Sequence, residues 1–296
     1  MKLSILIPTY NQDCRQLVES LVRLCHLPDD CEIIVGDDGS TDSRSKEANR
    51  ELCNLGKVTY WESPENLGRA RIRNRLAQMS KGEYLLFIDS DARVDDADFI
   101  EGYLRQLPTD DVLCGGYYSD SQAPPPQRSL RWRYEKACEK RLTPENRNKR
   151  PHQNIATFNI LIPRNVAESH PFDERIKRYG YEDTLLGQEL EEAGIGVRHI
   201  GNPLVHTGLD TNEHFLAKTE EAMQTLHDIR HRIGDKSHLL SVYDRLHKWH
   251  LTKAAALAFR HCQKLMRSHL QGGSPSIWMF NLYKLGFYCN LEDVTI

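Results

Sequence analysis

The segment Tyr84–Val94, YLLFIDSDARV, contains the decisive pattern of the chain. Five residues with the character of a buried strand, Tyr84–Ile88, run straight into Asp89-Ser90-Asp91. Two carboxylates two positions apart at the mouth of a core strand repel each other, so the arrangement calls for a cation or for chemistry. The same pattern, an apolar run ended by a polar cluster, occurs twice upstream. LSILI (3–7) stops at Pro8-Thr9-Tyr10-Asn11, and EIIV (32–35) is expected to break at Gly36 before Asp37-Asp38-Gly39-Ser40. KVTYWES (57–63) reads as a further strand. Between the strands, 14–27 carries Leu17, Val18, Leu21, Val22, Leu24 and Cys25 at helical spacing, and 42–55 and the Arg-rich 66–79 read as two more helices. Strands alternating with helices predict βαβ units and a mostly parallel sheet. Ligands of such sheets gather at the carboxyl ends of the strands, so three polar strand ends on one edge outline a site.

The residue types narrow the chemistry. Paired hard oxygen ligands such as Asp89 and Asp91 suit Mg²⁺ or Mn²⁺, which use one or two carboxylates together with substrate phosphates. Asp37-Asp38-Gly39-Ser40 reads in two ways that are compatible: a carboxylate accepting from a base or ribose, and a turn whose Ser40-Thr41-Asp42 caps the next helix. In Asn66–Asn74, NLGRARIRN, arginines at every second position fan around a helix axis. One or two of them can meet a diphosphate near the helix N-terminus, and the others face solvent.

With 296 residues, 39% of them hydrophobic, the chain can bury a substantial core, and its formal net charge of −3 gives no global field for nucleic acid. Mean hydropathy is −0.60, and the apolar runs are about half a dozen residues long, well short of the ~18 of a membrane span. The opening MKLSILIPTYNQ lacks the features of a signal peptide, and the eight cysteines are irregularly scattered with no Cys-x-x-Cys pair. Both features lead to the expectation of a cytoplasmic protein with reduced thiols.

Downstream, ATFNILIPRNV (156–166) reads as another strand, RYGYEDTLLGQELEEAG (178–194) as a loop feeding a helix that ends at Gly194, and residues from 213 onward as helical with a break at Gly272–Pro275. The chain therefore divides, on expectation, into a catalytic domain over 1–212, with a nucleotide half at about 1–100 and an acceptor half at about 101–212, and a helical region over 213–296.

Taken in order, SILIPTYN, EIIVGDDGSTD, NLGRARIRN, GEYLLFIDSDA, GYEDTLLGQEL and PLVHTG resemble the motifs of family 2 glycosyltransferases with the GT-A fold, over roughly residues 1–210. The resemblance implies an α/β, Rossmann-like three-layer sandwich. It implies inverting transfer of a sugar from a nucleotide-sugar, a UDP-sugar foremost, to a hydroxyl of a saccharide or lipid-linked saccharide. It assigns Pro8, Thr9, Tyr10 and Asp38 to the nucleotide base, with Asp37 nearby. Gly68 and Arg73 lie in the motif that supports base and phosphate. Asp89 goes to the ribose or the metal shell, and Asp91 to Mn²⁺ or Mg²⁺ bridging the diphosphate. Asp183 is the implied general base, with Glu182 as alternative base or acceptor contact, and His206 is a further metal or phosphate contact. On the residues alone, Asp183 also reads as a helix cap and His206 as a structural histidine.

Two departures matter. Ala92 stands where many members carry another acid, which leaves a metal position to water. The Gln-x-x-Arg-Trp of processive members is absent after Asp183, which favours transfer of one sugar at a time. A rival reading, a sugar-phosphate nucleotidyltransferase, normally needs a Gly-rich basic loop after the first strand, and IPTYNQDC has none. A catalytically inactive nucleotide-sugar-binding protein is the non-enzyme alternative. Acceptor recognition is expected in the basic segment 127–153, with nine Lys/Arg against three acids and with Trp132 and Tyr134, although a solvated flap has the same composition. The stretch 245–290, basic and then aromatic, fits either an anionic membrane face or packing within the protein or against a second subunit.

Overall fold

The computed structural model describes residues 1–176, 178–233 and 237–294. In chain order the first elements are β1 (Leu3–Thr9), α1 (Arg15–Glu19), β2 (Cys31–Asp37), α2 (Ser43–Arg50), β3 (Val58–Glu62), α3 (Arg69–Met79), β4 (Tyr84–Ile88), β5 (Ala92–Arg93) and α4 (Phe99–Leu104). Next come β6 (Val112–Cys114), β7 (Tyr117–Ser119), α5 (Ser129–Glu139), α6 (Pro144–Arg147), β8 (Asn159–Pro163), α7 (Arg164–Ser169), α8 (Glu182–Glu192), β9 (Val197–His199) and β10 (Leu204–His206). The chain closes with α9 (Asn212–Asp228), α10 (Arg230–Ile233), α11 (His238–Lys248), α12 (Thr252–Gln271) and α13 (Ile277–Val294).

Two compact units result. One comprises Met1–Asp120, Arg141–Lys177 and Leu186–Gly208; the other comprises Ser121–Lys140, Arg178–Leu185 and Leu209–Ile296.

In the first unit a seven-stranded sheet runs β3-β2-β1-β4-β8-β6-β9. β1, β2, β3 and β4 are parallel, β8 is antiparallel to both neighbours, and β6 and β9 pair in parallel. Alternation along each strand feeds two cores. Leu3, Ile5, Ile7, Leu86 and Ile88 join Val18 and Leu21 on one face, while Leu6, Leu85 and Phe87 join Ile72, Leu76 and Leu186 on the other. A second sheet, β5-β10-β7, is only two to three residues deep.

The strands differ from the sequence expectation in detail. β2 does not break at Gly36 but continues to Asp37, because Gly36 is held in the ladder by Pro8 on one side and Trp61 on the other. The helix expected over 42–55 begins after Asp42, whose carboxylate accepts from the Arg44 and Ser45 N–H groups, and its last turn tightens to a 3₁₀ helix at Glu51–Asn54. The Arg-rich helix starts at Arg69 rather than Asn66. The strand expected over 156–166 is confined to β8, and the chain turns into α7 at Arg164. All eight cysteines are free thiols.

The second unit is helical. Leu130 of α5, Phe215 of α9, Phe259 of α12 and Phe280 and Tyr283 of α13 form one core; Leu226, Leu240, Tyr243, Ala256 and Tyr288 form another. Phe215 stacks on Phe280 at 5.5 Å, and Phe259 meets Tyr283 edge-on at 5.2 Å.

Candidate functional site

Parallel pairing brings the ends of β1, β2 and β4 to one edge of the first unit. Thr9 pairs with Asp37 at the last rung of β1–β2, and the Asp38 N–H donates to the Thr9 carbonyl at 2.8 Å. Thr9 is buried and Pro8 partly so, whereas the Tyr10 ring beyond the strand is 47% exposed and presents an open face.

Asp37 and Asp38 are both buried and both serve the backbone. Asp37 accepts from the Ser40 N–H at 2.7 Å and the Tyr60 hydroxyl at 3.2 Å. Asp38 accepts from the Leu67 N–H at 2.7 Å and the Gly68 N–H at 3.0 Å, fixing the loop that opens α3. Burial pushes the Asp38 carboxyl upward, against the pull of those two N–H groups.

Asp89 lies just past β4. Arg73, itself buried, donates to it at 2.6 Å, and Arg69, one turn earlier on α3, approaches its other oxygen at 3.5 Å. The Arg73 guanidinium also lies over the Phe172 ring, and its Nε is buried without a hydrogen-bond partner among the described residues. An arginine this buried is tolerable because a carboxylate faces it; removing either partner of such a pair costs about 3–5 kcal/mol.

Asp91 and His206, 115 residues apart in sequence, meet through the small sheet. β10 pairs antiparallel with β5, setting His206 opposite Ala92, and His206 Nε2 lies 3.2 Å from Asp91 Oδ2. The imidazole is buried edge-on against Phe158 and Tyr117. Thr207 secures the same aspartate through its N–H and hydroxyl, which donate to the Asp91 carbonyl at 3.0 and 2.7 Å. Gly208 completes the contact: a Cβ there would run into the Asp91 carboxylate. Thr207 and Gly208 belong to the quoted PLVHTG, but nothing local in the sequence gave them a partner.

A carboxylate oxygen and an imidazole nitrogen converging at this distance form a donor pair suited to Mn²⁺ or Mg²⁺. No group of three or more His, Cys, Asp or Glu side chains able to hold a metal occurs among the described residues. The pair therefore fits an ion that takes its remaining ligands from phosphate and water, with Asp89 already engaged by the two arginines.

Glu182 and Asp183 open α8, in the second unit. Asp183 is the second helical residue, inside the first turn rather than at the cap. The loop before it is strongly constrained. Gly180 and Tyr181 both adopt left-handed backbone, with φ of +100° and +65°. A Cβ at Gly180 would fall 2.6 Å from that of Ala222 on α9. The Tyr179 N–H donates to Glu221 at 3.1 Å and its carbonyl accepts from the Thr225 hydroxyl at 2.9 Å, so α9 grips the loop at both backbone groups of one residue.

The sheet order, the βαβ strand ends and the Asp91–His206 pair define the first unit as a GT-A fold. The profile of the family described as Glycosyl transferase family 2 matches residues 4–168, and the chain belongs to that family. The poly(ribitol-phosphate) beta-glucosyltransferase of Bacillus spizizenii is 39% identical over 94 residues, an alignment that takes in 31% of this chain and 15% of that relative. Among solved structures, the mannosyltransferase PcManGT of Pyrobaculum calidifontis, in complex with GDP-Man and Mn²⁺, superposes with a TM-score of 0.60 at 16% identity, covering 99% of this chain and 87% of that one. S. aureus TarS 1–349 in complex with UDP gives 0.55 at 17% identity, covering 100% and 91%.

Proposed function

We propose that the protein transfers a sugar from a nucleoside-diphosphate sugar, a UDP-sugar foremost, to a hydroxyl of a saccharide or lipid-linked saccharide, with inversion and one sugar per encounter, in cell-surface polysaccharide or glycan synthesis. The observation that carries this reading is the Asp91–His206 pair beside the Arg73–Asp89 ion pair, at the strand edge of a family 2 chain. The complexes of the two solved relatives, one with UDP and one with GDP-Man and Mn²⁺, support a nucleotide-sugar donor.

In this reading the base lies against Pro8, Thr9 and Asp38, and the exposed Tyr10 ring offers it a stacking face. Gly68 and Arg73 support base and phosphate, and Asp89 accepts from the ribose. Asp91 and His206 would hold Mn²⁺ or Mg²⁺, which when bound would supply charge neutralisation for the departing diphosphate. Inversion requires a single displacement, so a base must take the proton of the attacking hydroxyl on the face opposite the leaving group. Asp183 has that role, and Glu182 is the alternative base or an acceptor contact. The grip of α9 on Tyr179 supports this assignment, because a base held within about 0.5 Å of its productive position is what proton transfer demands.

A donor screen by release of nucleoside diphosphate, with Mn²⁺ and with a chelator as control, tests the reading. Full activity in chelator removes the metal from it. Asp183→Asn is expected to retain donor binding, measured by calorimetry, while transfer falls by about 10²–10⁴-fold; unchanged transfer removes Asp183 as the base.

A further inference from the structure

The helix α12 has two opposed faces. Ala256, Phe259 and Leu270 point into the core of the second unit. On the opposite side Ala254, Leu257, Ala258, Cys262 and Leu265 share one face, interrupted by His261, and are all exposed, Leu257 at 52% and Leu265 at 75%. Among the described residues nothing covers this stripe. Two exposed tryptophans flank α12 in sequence: Trp249, just before it, is 68% exposed, and Trp278, in the first turn of α13, is 70% exposed.

Charge identifies the occupant. Residues 245–267 carry six Lys/Arg and no acid, and no Asp or Glu follows until Glu292, in a chain whose overall charge is −3. Lys253, Arg260 and Lys264 are exposed and, at 3.6 residues per turn, fall within an arc of about 40° along one border of the apolar stripe. Of the six, Arg267 is paired with Glu220 of α9. Apolar side chains bordered by a row of cations, with exposed tryptophans in the adjoining segments, suit a lipid headgroup region, where acyl chains lie beneath anionic phosphates. A second copy of the chain is a poorer occupant, because an antiparallel two-fold contact would set one cationic border against its equivalent. No helix among the described residues is long and apolar enough to cross a membrane, so the contact is one of lying on the surface.

We propose that the outer face of α12, with Trp249 and Trp278, docks the protein on an anionic phospholipid surface. The proposal rests on this surface alone and does not depend on the sugar-transfer reading. It is tested by co-sedimentation of the full chain with vesicles rich in phosphatidylglycerol and with vesicles of phosphatidylcholine alone. Binding to the former is expected, weakening as salt is raised, with a blue shift of tryptophan emission. Lys253→Ala with Lys264→Ala is expected to weaken it by roughly tenfold or more, since each cation near such a surface contributes about 1 kcal/mol. Trp249→Ser with Trp278→Ser is expected to abolish the emission shift. All four positions are exposed, so the variants retain the wild-type circular dichroism spectrum. Equal binding to both vesicle types, no binding to either, or wild-type binding by the lysine variant overturns the proposal. A concentration-dependent dimer that Leu265→Ser dissolves, in a protein that leaves vesicles alone, assigns the face to a second copy instead.

Discussion

Two pairs of aspartates end strands β2 and β4 of one sheet, with β1 between them, and they take different partners. At the end of β2, Asp37 and Asp38 are buried and each of their four oxygens accepts a bond from the protein itself: Ser40 N–H, Tyr60 hydroxyl, Leu67 N–H and Gly68 N–H. At the end of β4, Asp89 and Asp91 are part-exposed and meet cationic or titratable side chains: Arg73 and Arg69 for the first, His206 for the second. Residue type and spacing do not separate these two uses. What separates them is the partner: the β2 carboxylates accept from backbone N–H groups and a phenol and so shape loops, whereas the β4 carboxylates face guanidinium and imidazole.

That contrast can be broken at several points. Asp91→Asn tests the functional side. It should leave the thermal midpoint close to wild type while transfer drops on the order of a thousandfold, the several kcal/mol of charge stabilisation that a metal centre supplies. A loss of stability as large as the loss of rate would put Asp91 with the structural acids.

The next effect concerns a buried group of the structural kind in the same unit. His199 Nδ1 accepts from Arg147 at 3.0 Å and its Nε2 donates to the Pro151 carbonyl at 2.9 Å. Burial, reinforced by the charges of Arg147 and His152, pulls the His199 pKa from 6.5 down to about 4, against the Pro151 hydrogen bond. The folded state therefore binds fewer protons than the unfolded chain between these values. The contribution is complete above pH 6.5 and is lost as pH falls towards 4, by at most about 3 kcal/mol. Urea midpoints measured across that window should fall with acid, and His199→Gln should flatten the fall.

Asp37→Ala comes third. It strips the acceptor from two donors and is expected to cost about 2 kcal/mol in urea unfolding, with turnover per folded molecule within a few-fold of wild type. The smallest effect is expected in the second unit. Thr225→Ala removes the hydroxyl that holds the Tyr179 carbonyl, worth about 1 kcal/mol, and should lower kcat roughly fivefold with KM unchanged. Thr225→Ser should restore it.

The parts of this structure that were legible in the sequence are the local ones. β1, β2 and β4 announce themselves as apolar runs closed by polar clusters, β3 reads as a strand between them, and the strand ends follow. Less legible was how far each element extends. Gly36 looks like a terminator until Pro8 and Trp61 are seen pairing on either side of it. The small sheet was not legible at all, because β5, β7 and β10 are too short to show a period and gain their stability from one another. Asp91 and His206 were each identifiable by motif; their contact depends on a pairing across 115 residues that no local pattern encodes. The same is true of the α9 grip on Tyr179, since Glu221 and Thr225 read in sequence as ordinary helical residues.

The β5–β10 ladder has one more consequence. His206, Thr207 and Gly208 address a single residue, Asp91, with a ring, a hydroxyl, an N–H and an absent side chain in turn. Because strand side chains alternate, a register slip of one residue in β10 would turn the imidazole to the opposite face and bring a neighbour's Cβ to where only glycine fits. A one-residue insertion or deletion in the 200–203 turn would therefore disable the pair without altering any residue that belongs to it. For redesign or grafting, Asp91 and the tripeptide after β10 have to be moved as one block, together with the length of the turn that sets their phase.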